Sequence, residues 1–136
     1  ALVLAGHLAR RYAAAPGPRA QRTLPRETLS PAALRRVCDL IEASLGADVT
    51  LAALAAEARL SRFHFARGFR AATGTTPLQY VQLRRIEHAK RLLRNQRLSI
   101  IDVAAQVGFA GPEHFSNVFR RHTGLPPGRF RRQARD

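Results

Sequence analysis

The chain has 136 residues, of which 46% are apolar and 24% are charged, and this is enough for one domain or one domain with a tail. Its 23 basic and 9 acidic residues give a net charge of +14. Such a charge predicts a polyanionic partner, nucleic acid first and an anionic membrane surface second. All basic residues except Lys90 are arginine, whose planar fork grips phosphates and guanine edges. The single cysteine, Cys38, excludes an internal disulfide and a cysteine-based zinc site.

The first 29 residues are predicted to lie outside the folded part of the chain. Residues 2–14 have the spacing of a short helix, Pro16 and Pro18 end it, and the following residues are polar and basic. We therefore expect residues 1–29 to be a linker that carries the end of a missing N-terminal domain. No apolar run is long enough to span a bilayer, and the opening ALVLAG is too short for a signal peptide. The sequence predicts a cytoplasmic protein without a membrane partner.

Helix signals begin directly after this linker. Ser30 is a favoured N-cap and Pro31 a favoured first helical residue, and the helix that they open is predicted to stop at Gly46. Thr50 begins a short helix, and a turn then leads to a helix over about 61–72.

The second half of the chain repeats this plan after a longer helix. Residues 76–79 form a capping box, with proline at the first helical position, which opens a helix over about 77–95. Ser99 begins another short helix, and after a turn a helix over about 112–122 follows. Pro127 begins a last short helix. Because no stretch alternates with the period of a strand, the predicted fold class is all-α.

Residues 61–80 and 111–130 are one pattern written twice, SRFHFARGFRAATGTTPLQY and GPEHFSNVFRRHTGLPPGRF. Matching residues lie fifty positions apart: His64 and His114, Phe65 and Phe115, Phe69 and Phe119, Arg70 and Arg120, Thr73 and Thr123, Gly74 and Gly124, Pro77 and Pro127. Two copies are too few for a solenoid, and they suit two similar modules that do one job twice along a periodic partner.

A short helix, a tight turn and a second short helix with buried aromatic residues form the helix-turn-helix plan, whose second helix lies in the DNA major groove. We therefore predict about seven helices in two helix-turn-helix subdomains, 30–75 and 98–136. A connecting segment, 76–97, would hold the long central helix.

Two phenylalanines four residues apart indicate which face of each second helix points outward. Phe65 and Phe69, like Phe115 and Phe119, are predicted to be core residues. The outward positions are then Arg62, Phe63, Ala66, Arg67 and Arg70 in the first copy, and Pro112, Glu113, Ser116, Asn117, Arg120 and Arg121 in the second. The inward sets match and the outward sets differ, as expected for two readers of different base sequences. Drift on a solvated surface is the alternative.

A long motif of fixed spacing surrounds the second copy. It reads Ser99-Ile-Ile-Asp-Val-Ala-Ala-Gln-Val-Gly-Phe109, then His114-Phe115, Phe119-Arg120, Thr123-Gly124, Pro127 and Phe130-Arg131. With these residues the chain resembles the DNA-binding domain of AraC/XylS-type bacterial transcription regulators over about residues 31–132. The resemblance implies a recognition helix in each subdomain, 61–72 and 112–122, placed in successive major-groove segments. It also implies activation of transcription through a contact with RNA polymerase.

Carried over by position, the resemblance implies that six residues face bases: Phe63, Ala66, Arg67, Glu113, Ser116 and Asn117. Arg67 suits guanine, Asn117 suits adenine, and Glu113 can accept a hydrogen bond from cytosine, whereas Phe63 or Ala66 can touch a thymine methyl. Many relatives carry arginine at the position of Asn117. Phosphate contacts, which set register rather than sequence, are expected from Thr50, Ser61, Arg62, Arg70, Ser99, Arg120 and Arg121.

The two turns differ at one residue, because Arg59 stands where the second copy has Gly108. A left-handed conformation costs a residue other than glycine roughly 1 kcal/mol. We therefore expect the first turn to be strained or shaped differently, and a different shape would change the register of Phe63 and Arg67.

Two further basic sets are consistent with either a solvated face or a phosphate-tracking surface. They are Arg84, Arg85, Lys90, Arg91, Arg94 and Arg97 on the connecting helix, and Arg129, Arg131, Arg132 and Arg135 near the C-terminus. The histidines lack the spacing of a metal site, so we expect neither metal nor cofactor. Cys38 lies on an apolar stripe, which favours a small buried side chain over a nucleophile.

The sequence thus predicts a sequence-specific double-stranded DNA-binding domain of a bacterial transcription regulator, and no enzyme. The domain is expected to bind as a monomer, and the full-length protein to sense a ligand or dimerise through its missing N-terminal region. Two alternatives stay open. One is a non-specific architectural nucleic-acid binder, and the other is a regulatory DNA-binding module of an enzyme.

Overall fold

The computed structural model describes residues 29–135, in which seven helices and no strand are present. In chain order the helices are α1 Pro31–Ala43, α2 Leu51–Ala58, α3 Arg62–Thr73, α4 Pro77–Leu92, α5 Ile100–Gln106, α6 Pro112–Thr123 and α7 Pro127–Arg135. The predicted all-α fold is therefore confirmed for this part of the chain. The helix expected at 2–14 lies outside the described residues, as does the linker up to residue 28.

The helices begin where polar side chains can satisfy their first backbone amides. The Ser30 hydroxyl accepts from the Ala33 N–H at 3.1 Å, and the Thr50 hydroxyl accepts from the Ala53 N–H at 3.1 Å. In the capping box of α4, the Gln79 N–H donates to the Thr76 hydroxyl, and the Thr76 N–H donates to the Gln79 side chain, both at 3.2 Å. These predicted helix starts are confirmed, and each such cap contributes typically about 1 kcal/mol to stability.

The described residues form two compact units, whose limits do not follow the order of the chain. The first unit contains residues 29–43 and 49–80, and the second contains 44–48 and 81–135. The division falls inside α4, so each unit takes part of the helix that the sequence assigned to a connecting segment. The short segment 44–48 follows α1 along the chain but belongs to the second unit.

The core of the first unit is built around the aromatic residues of α3. Phe65 and Phe69 are fully buried, with ring centroids 5.7 Å apart, and Phe69 meets the Tyr80 ring edge-on at 5.5 Å. Leu29 is also buried, and a Cβ placed on Gly68 would lie 3.1 Å from the Leu29 Cβ. The prediction that the linker extends through residue 29 is therefore wrong at Leu29, which packs against α3.

The core of the second unit uses the same arrangement with more rings. Phe115 and Phe119 are fully buried at 5.6 Å from each other, Phe109 lies 5.3 Å from Phe115, and Phe130 lies 5.2 Å from Phe119. Aliphatic side chains complete this core: Ile86, Ala89, Leu93, Val103, Ala104, Val107 and Val118. Burial of a valine, leucine, isoleucine or phenylalanine side chain contributes about 1.5–3 kcal/mol, so this core is a main source of the unit's stability.

The ends of α3 and α6 are held by the same hydrogen bonds, fifty residues apart. The Thr73 hydroxyl donates to the Phe69 carbonyl at 2.8 Å and accepts from the Thr75 N–H at 3.2 Å. The Thr123 hydroxyl donates to the Phe119 carbonyl at 2.8 Å and accepts from the Leu125 N–H at 3.2 Å. Each threonine therefore ties the last turn of its helix to the segment that follows.

Candidate nucleic-acid interface

In the first unit, α2, a short turn and α3 form one helix-turn-helix. Arg59 adopts a left-handed conformation, with φ 58° and ψ 39°, in the turn. The Arg59 N–H donates to the Ala56 carbonyl and the Leu60 N–H to the Ala55 carbonyl, each at 3.0 Å. Ser61 then caps α3, since its hydroxyl accepts from the His64 N–H at 3.2 Å.

The second unit forms the matching turn with glycine. Gly108 is left-handed with φ 94°, and its N–H donates to the Ala105 carbonyl at 3.2 Å, while the Phe109 N–H donates to the Ala104 carbonyl at 3.0 Å. These are the hydrogen bonds of the first turn, so Arg59 adopts the conformation of the matching glycine and carries the expected strain. The expected difference in shape is also present, but it lies after Arg59, in the length of the turn.

The turns differ in length by one residue. Ser61 caps α3 two positions after Arg59, whereas the N-cap of α6, Gly111, comes three positions after Gly108. Gly111 provides no side-chain cap, and Pro112 occupies the first helical position instead, where the missing N–H costs nothing.

A steric reason explains why Gly108 cannot be replaced by a larger residue. A Cβ at this position would lie 2.2 Å from the Leu45 carbonyl oxygen and 2.9 Å from the Arg85 Nε. The Arg85 Nε itself donates to that carbonyl at 3.0 Å. Glycine therefore serves both the left-handed conformation and the close approach of another backbone.

The outward face of α3 carries the residues predicted to read bases. Phe63 is 63% exposed, Arg67 is exposed, and Ala66 is half-buried. The guanidinium carbon of Arg67 lies 5.5 Å from the centroid of the Phe63 ring, within the range of a cation–π contact. Because Phe65 and Phe69 are wholly inside, α3 presents this mixed aromatic and cationic surface to solvent.

The outward face of α6 has a different chemistry. Glu113 and Asn117 are exposed, and Ser116 is half-buried. These residues stand fifty positions after Phe63, Arg67 and Ala66. A carboxylate and an amide thus replace the aromatic ring and the guanidinium.

Both units also carry exposed hydroxyl and guanidinium groups. The predicted phosphate-contacting residues are all exposed: Thr50, Ser61, Arg62, Arg70, Ser99, Arg120 and Arg121. Three of them also cap helices. Ser99 forms a capping box with Asp102, in which the Asp102 N–H donates to the Ser99 hydroxyl at 3.0 Å. The capping hydroxyls of Thr50 and Ser99 accept an amide hydrogen and keep their own protons, which they can donate to a phosphate oxygen. The Ser61 hydroxyl also lies 2.7 Å from the His64 Nδ1.

The side chains of three arginines are buried or bonded to backbone carbonyls, contrary to the prediction from sequence. Arg84 is buried, with 5% of its surface exposed. Arg85 donates to the carbonyls of Leu45 and Ala47, at 3.0 and 2.8 Å. Both interpretations of the connecting helix, a solvated face and a phosphate-tracking surface, are therefore wrong at these two residues. The burial of Arg84 could have been predicted from sequence, because Arg84 follows the apolar residue Tyr80 by four positions and therefore lies on the same face of α4.

Arg131 is the third of these arginines. Its Nε donates to the Leu93 carbonyl at 2.8 Å, and its Nη2 donates to the Asn95 carbonyl at 3.3 Å. The side chain is half-buried and supports the end of α4, so neither predicted role applies.

His122, in the last turn of α6, lies among positive charges. Partial burial lowers the pKa of His122 from its ordinary value of 6.5, and the charges of Arg121 and Lys90 lower this pKa further. Its neutral form is therefore favoured at neutral pH, and α6 gains no added cation from it.

Within residues 29–135 no group of three His, Cys, Asp or Glu side chains is arranged to hold a metal ion. Cys38 is half-buried on α1. None of the described helices combines the length and apolar character needed to cross a membrane.

The duplicated helix-turn-helix geometry agrees with the comparisons to known proteins. A family model described as a helix-turn-helix domain matches residues 54–133. The chain belongs to this family, in its AraC-type branch of DNA-binding domains.

Two solved structures illustrate the similarity. The DNA-binding domain of AdpA, a global transcriptional factor crystallised with a target DNA, is 35% identical with a TM-score of 0.71, covering 78% of this chain and 95% of that one. An AraC-type regulator from Chromobacterium violaceum is 28% identical with a TM-score of 0.70, covering 75% of this chain and 91% of that one.

Curated relatives are longer than this chain. The transcriptional regulator GlxA of Rhizobium meliloti is 37% identical over 102 residues, which are 75% of this chain and 32% of GlxA. The transcriptional activator RhaR of Escherichia coli is 36% identical over 104 residues, which are 76% of this chain and 37% of RhaR. The chain thus spans about a third of the length of these relatives.

Proposed function

We propose that this chain is the sequence-specific DNA-binding domain of a bacterial transcription regulator, with α3 and α6 as its recognition helices. The observation that carries the proposal is the contrast between their two faces. The inward residues are the same phenylalanines in both units, whereas the outward residues are Phe63 and Arg67 in one and Glu113 and Asn117 in the other. Two helices of one framework with unlike outer chemistry suit two different segments of a single asymmetric site.

Each recognition helix would enter the major groove, the two at successive segments of one duplex. There Arg67 would donate to the O6 and N7 of a guanine, and Asn117 would pair with the N6 and N7 of an adenine. Glu113 would accept from a cytosine N4, while Ala66 and Ser116 would let the helix approach closely.

The phosphate contacts would come from the ends of the helices. Arg62, Arg70, Arg120 and Arg121 are exposed, so a DNA backbone can reach their guanidinium groups. The capping hydroxyls of Thr50 and Ser99 lie at the starts of α2 and α5, where each can donate to a phosphate oxygen. Such contacts fix the register in which bases are read.

The regulatory setting is also part of the proposal. RhaR is a transcriptional activator and AdpA a transcriptional factor, and these relatives support activation as the mode of regulation. RNA polymerase would then be the protein partner, as the family resemblance implies. Because the relatives are about three times longer, ligand sensing or dimerisation would belong to a region outside the matched part. The domain itself would bind DNA as a monomer, in the cytoplasm, without catalysing a reaction.

Selection from random double-stranded oligonucleotides, followed by competition binding, tests this function. We expect one asymmetric motif, bound roughly a thousandfold or more tightly than random DNA at physiological salt. Binding of equal strength to all sequences would instead identify an architectural nucleic-acid binder.

A second measurement addresses the enzyme alternative. A regulatory DNA-binding module of an enzyme such as a DNA-repair methyltransferase would need a reactive thiol, and Cys38 is the only cysteine in the chain. We expect Cys38 in the folded protein to resist alkylating probes that label it readily after denaturation. Rapid labelling of the native protein would support the enzyme alternative.

A further inference from the structure

Phe63 and Arg67 form a paired surface on the exposed side of α3. Most of the Phe63 ring is in solvent, although a ring of this size usually finds burial. The ring is nevertheless fixed on two sides. Arg67 lies over it at 5.5 Å, and the His64 ring meets it edge-on at 5.5 Å. His64 in turn contacts the Ser61 hydroxyl through its Nδ1 at 2.7 Å.

The contact between the Phe63 ring and the Arg67 guanidinium is compatible with DNA binding by both side chains. The guanidinium carbon lies over the ring, 5.5 Å from its centroid, and this contact needs none of the N–H donors, which can therefore turn to the O6 and N7 of guanine. The contact also limits the rotamers of a long side chain before DNA arrives, so less freedom is lost on binding. The remaining surface of the Phe63 ring is apolar and suits the methyl group of thymine.

We propose that Phe63 and Arg67 act as one reader, which recognises a guanine with a thymine methyl within two base pairs of it. This inference rests on the proposed DNA-binding function. Residues four apart are separated by about 6 Å along a helix. Successive nucleotides of one strand are about 3.4 Å apart, so the two side chains together span one to two base-pair steps.

The second unit supplies a natural contrast. The residues fifty positions later are Glu113 and Asn117, which include neither a ring nor a guanidinium. A linked preference for guanine and thymine is therefore expected only in the half of the site that α3 contacts.

The experiment uses the duplex obtained by selection, synthesised with deoxyuridine in place of each thymine in turn. Deoxyuridine keeps the hydrogen-bonding groups of thymine and lacks only the 5-methyl. At one thymine in the α3 half, we expect its removal to weaken binding by the wild-type chain about fourfold, the value of one buried methyl. Phe63→Ala should bind the thymine and deoxyuridine duplexes equally.

A double-mutant cycle then tests whether the two residues act together. We measure binding of Phe63→Ala, Arg67→Ala and the double variant, and expect the two losses to be coupled by a factor of about two to five, the range of an exposed cation–π contact. Phe63→Leu keeps an apolar side chain without the ring, so it should retain part of the methyl effect and lose the coupling. Substitution of 7-deazaguanine at the neighbouring guanine should weaken the wild type and leave Arg67→Ala unaffected.

The matched control is the same cycle with Glu113→Ala and Asn117→Ala, for which no coupling through a ring and no change in the methyl effect are expected. Because all four side chains are exposed, circular dichroism should show unchanged folding. Additive losses at Phe63 and Arg67, or equal binding of thymine and deoxyuridine duplexes by the wild type, would overturn this inference while leaving specific binding intact. Failure to select any motif would instead refute the proposed function itself.

Discussion

The Arg85 guanidinium donates from its Nε to the Leu45 carbonyl at 3.0 Å and from its Nη2 to the Ala47 carbonyl at 2.8 Å. Arg131 contacts Leu93 and Asn95 with the same two nitrogens. In each case the two carbonyls are two residues apart, just at or beyond the end of a helix, where carbonyl groups lack intrahelical donors. One planar side chain thus satisfies two backbone groups at once.

Replacement of Arg85 should destabilise the second unit without altering base preference. We expect Arg85→Ala to lower the free energy of unfolding by about 1–3 kcal/mol, because the partly buried Leu45 bond and the exposed Ala47 bond both lose their charged donor. Arg85→Lys should recover little of this, since an ammonium cannot bridge both carbonyls. Urea denaturation followed by circular dichroism measures both changes. The control, Arg94→Ala, removes an exposed arginine from the chain just after α4 and should change stability by less than about 0.5 kcal/mol. Wild-type stability in Arg85→Lys would show that charge alone is sufficient.

A comparison of Gly108 with Gly124 separates the cost of a steric clash from the cost of the left-handed backbone. Gly108→Ala places a methyl 2.2 Å from a backbone oxygen in a residue with φ +94°, whereas Gly124→Ala meets nothing within 4 Å at φ +83°. Both variants incur the left-handed penalty of about 1–2 kcal/mol. Thermal or urea unfolding should show Gly108→Ala to be less stable than Gly124→Ala by about a further 1–3 kcal/mol, because the backbone must shift. Equal losses would contradict the close approach of Leu45.

Arg59 should be a position where substitution improves stability. Its left-handed conformation costs about 1–2 kcal/mol, and glycine relieves this at an entropic cost of about 0.5–1 kcal/mol. We therefore expect Arg59→Gly to raise the free energy of unfolding by about 0.5 kcal/mol, with DNA selectivity unchanged because the turn keeps its hydrogen bonds. Calorimetry and repeated oligonucleotide selection provide the two readouts. A changed motif would mean that Arg59 itself contacts the operator.

The salt dependence of DNA binding should separate the two kinds of contact. Six to eight phosphate contacts give a slope near −5 to −7 for log affinity against log salt concentration. Arg120→Ala should make this slope less steep by about 0.9 and weaken binding to all sequences alike. Asn117→Ala should leave the slope unchanged and cost about 1–3 kcal/mol on the best site only. A wild-type slope shallower than about −2 would argue against an extended footprint.

His122 should make the fold slightly sensitive to acid. Because burial and then Arg121 and Lys90 lower the pKa of His122 in the folded state, the unfolded chain takes up the proton first as the pH falls. The stability contributed by the neutral form is complete above pH 6.5, the ordinary pKa of histidine, and declines as the pH falls through that value. Titration by NMR should show a folded-state pKa below 6.5, and Arg121→Ala should raise it. An unchanged pKa in Arg121→Ala would assign the shift to burial alone.

The parts of the fold that sequence could predict are those set by neighbours along the chain. Ser30, Thr50 and Ser99 mark helix starts because each bonds an amide three residues ahead. The four phenylalanines on α3 and α6 are buried because their four-residue spacing defines one helical face. The contact of Phe63 with Arg67 has the same spacing and was accessible to the same reasoning.

The parts that sequence did not predict depend on distant partners. Arg85 and Arg131 bind carbonyls 36 to 40 residues away, and nothing in the local pattern separates them from the exposed arginines around them. Leu29 follows a polar stretch, and its burial depends on Gly68, far along the chain. The long helix ends at Leu92 rather than near residue 95, because Arg94 and Asn95 bond the carbonyls three residues back in tighter turns.

The threonine ties at Thr73 and Thr123 have a consequence for how such a domain can change over generations. They stabilise the C-terminal end of each recognition helix, and the buried phenylalanines stabilise its middle, so the exposed side chains of Phe63, Arg67, Glu113 and Asn117 lie outside the core. New operator preferences can therefore arise by substitutions at these exposed positions that leave the stability of the fold nearly unchanged. After duplication of a helix-turn-helix unit, the second copy can change the bases that it recognises and still keep the same fold.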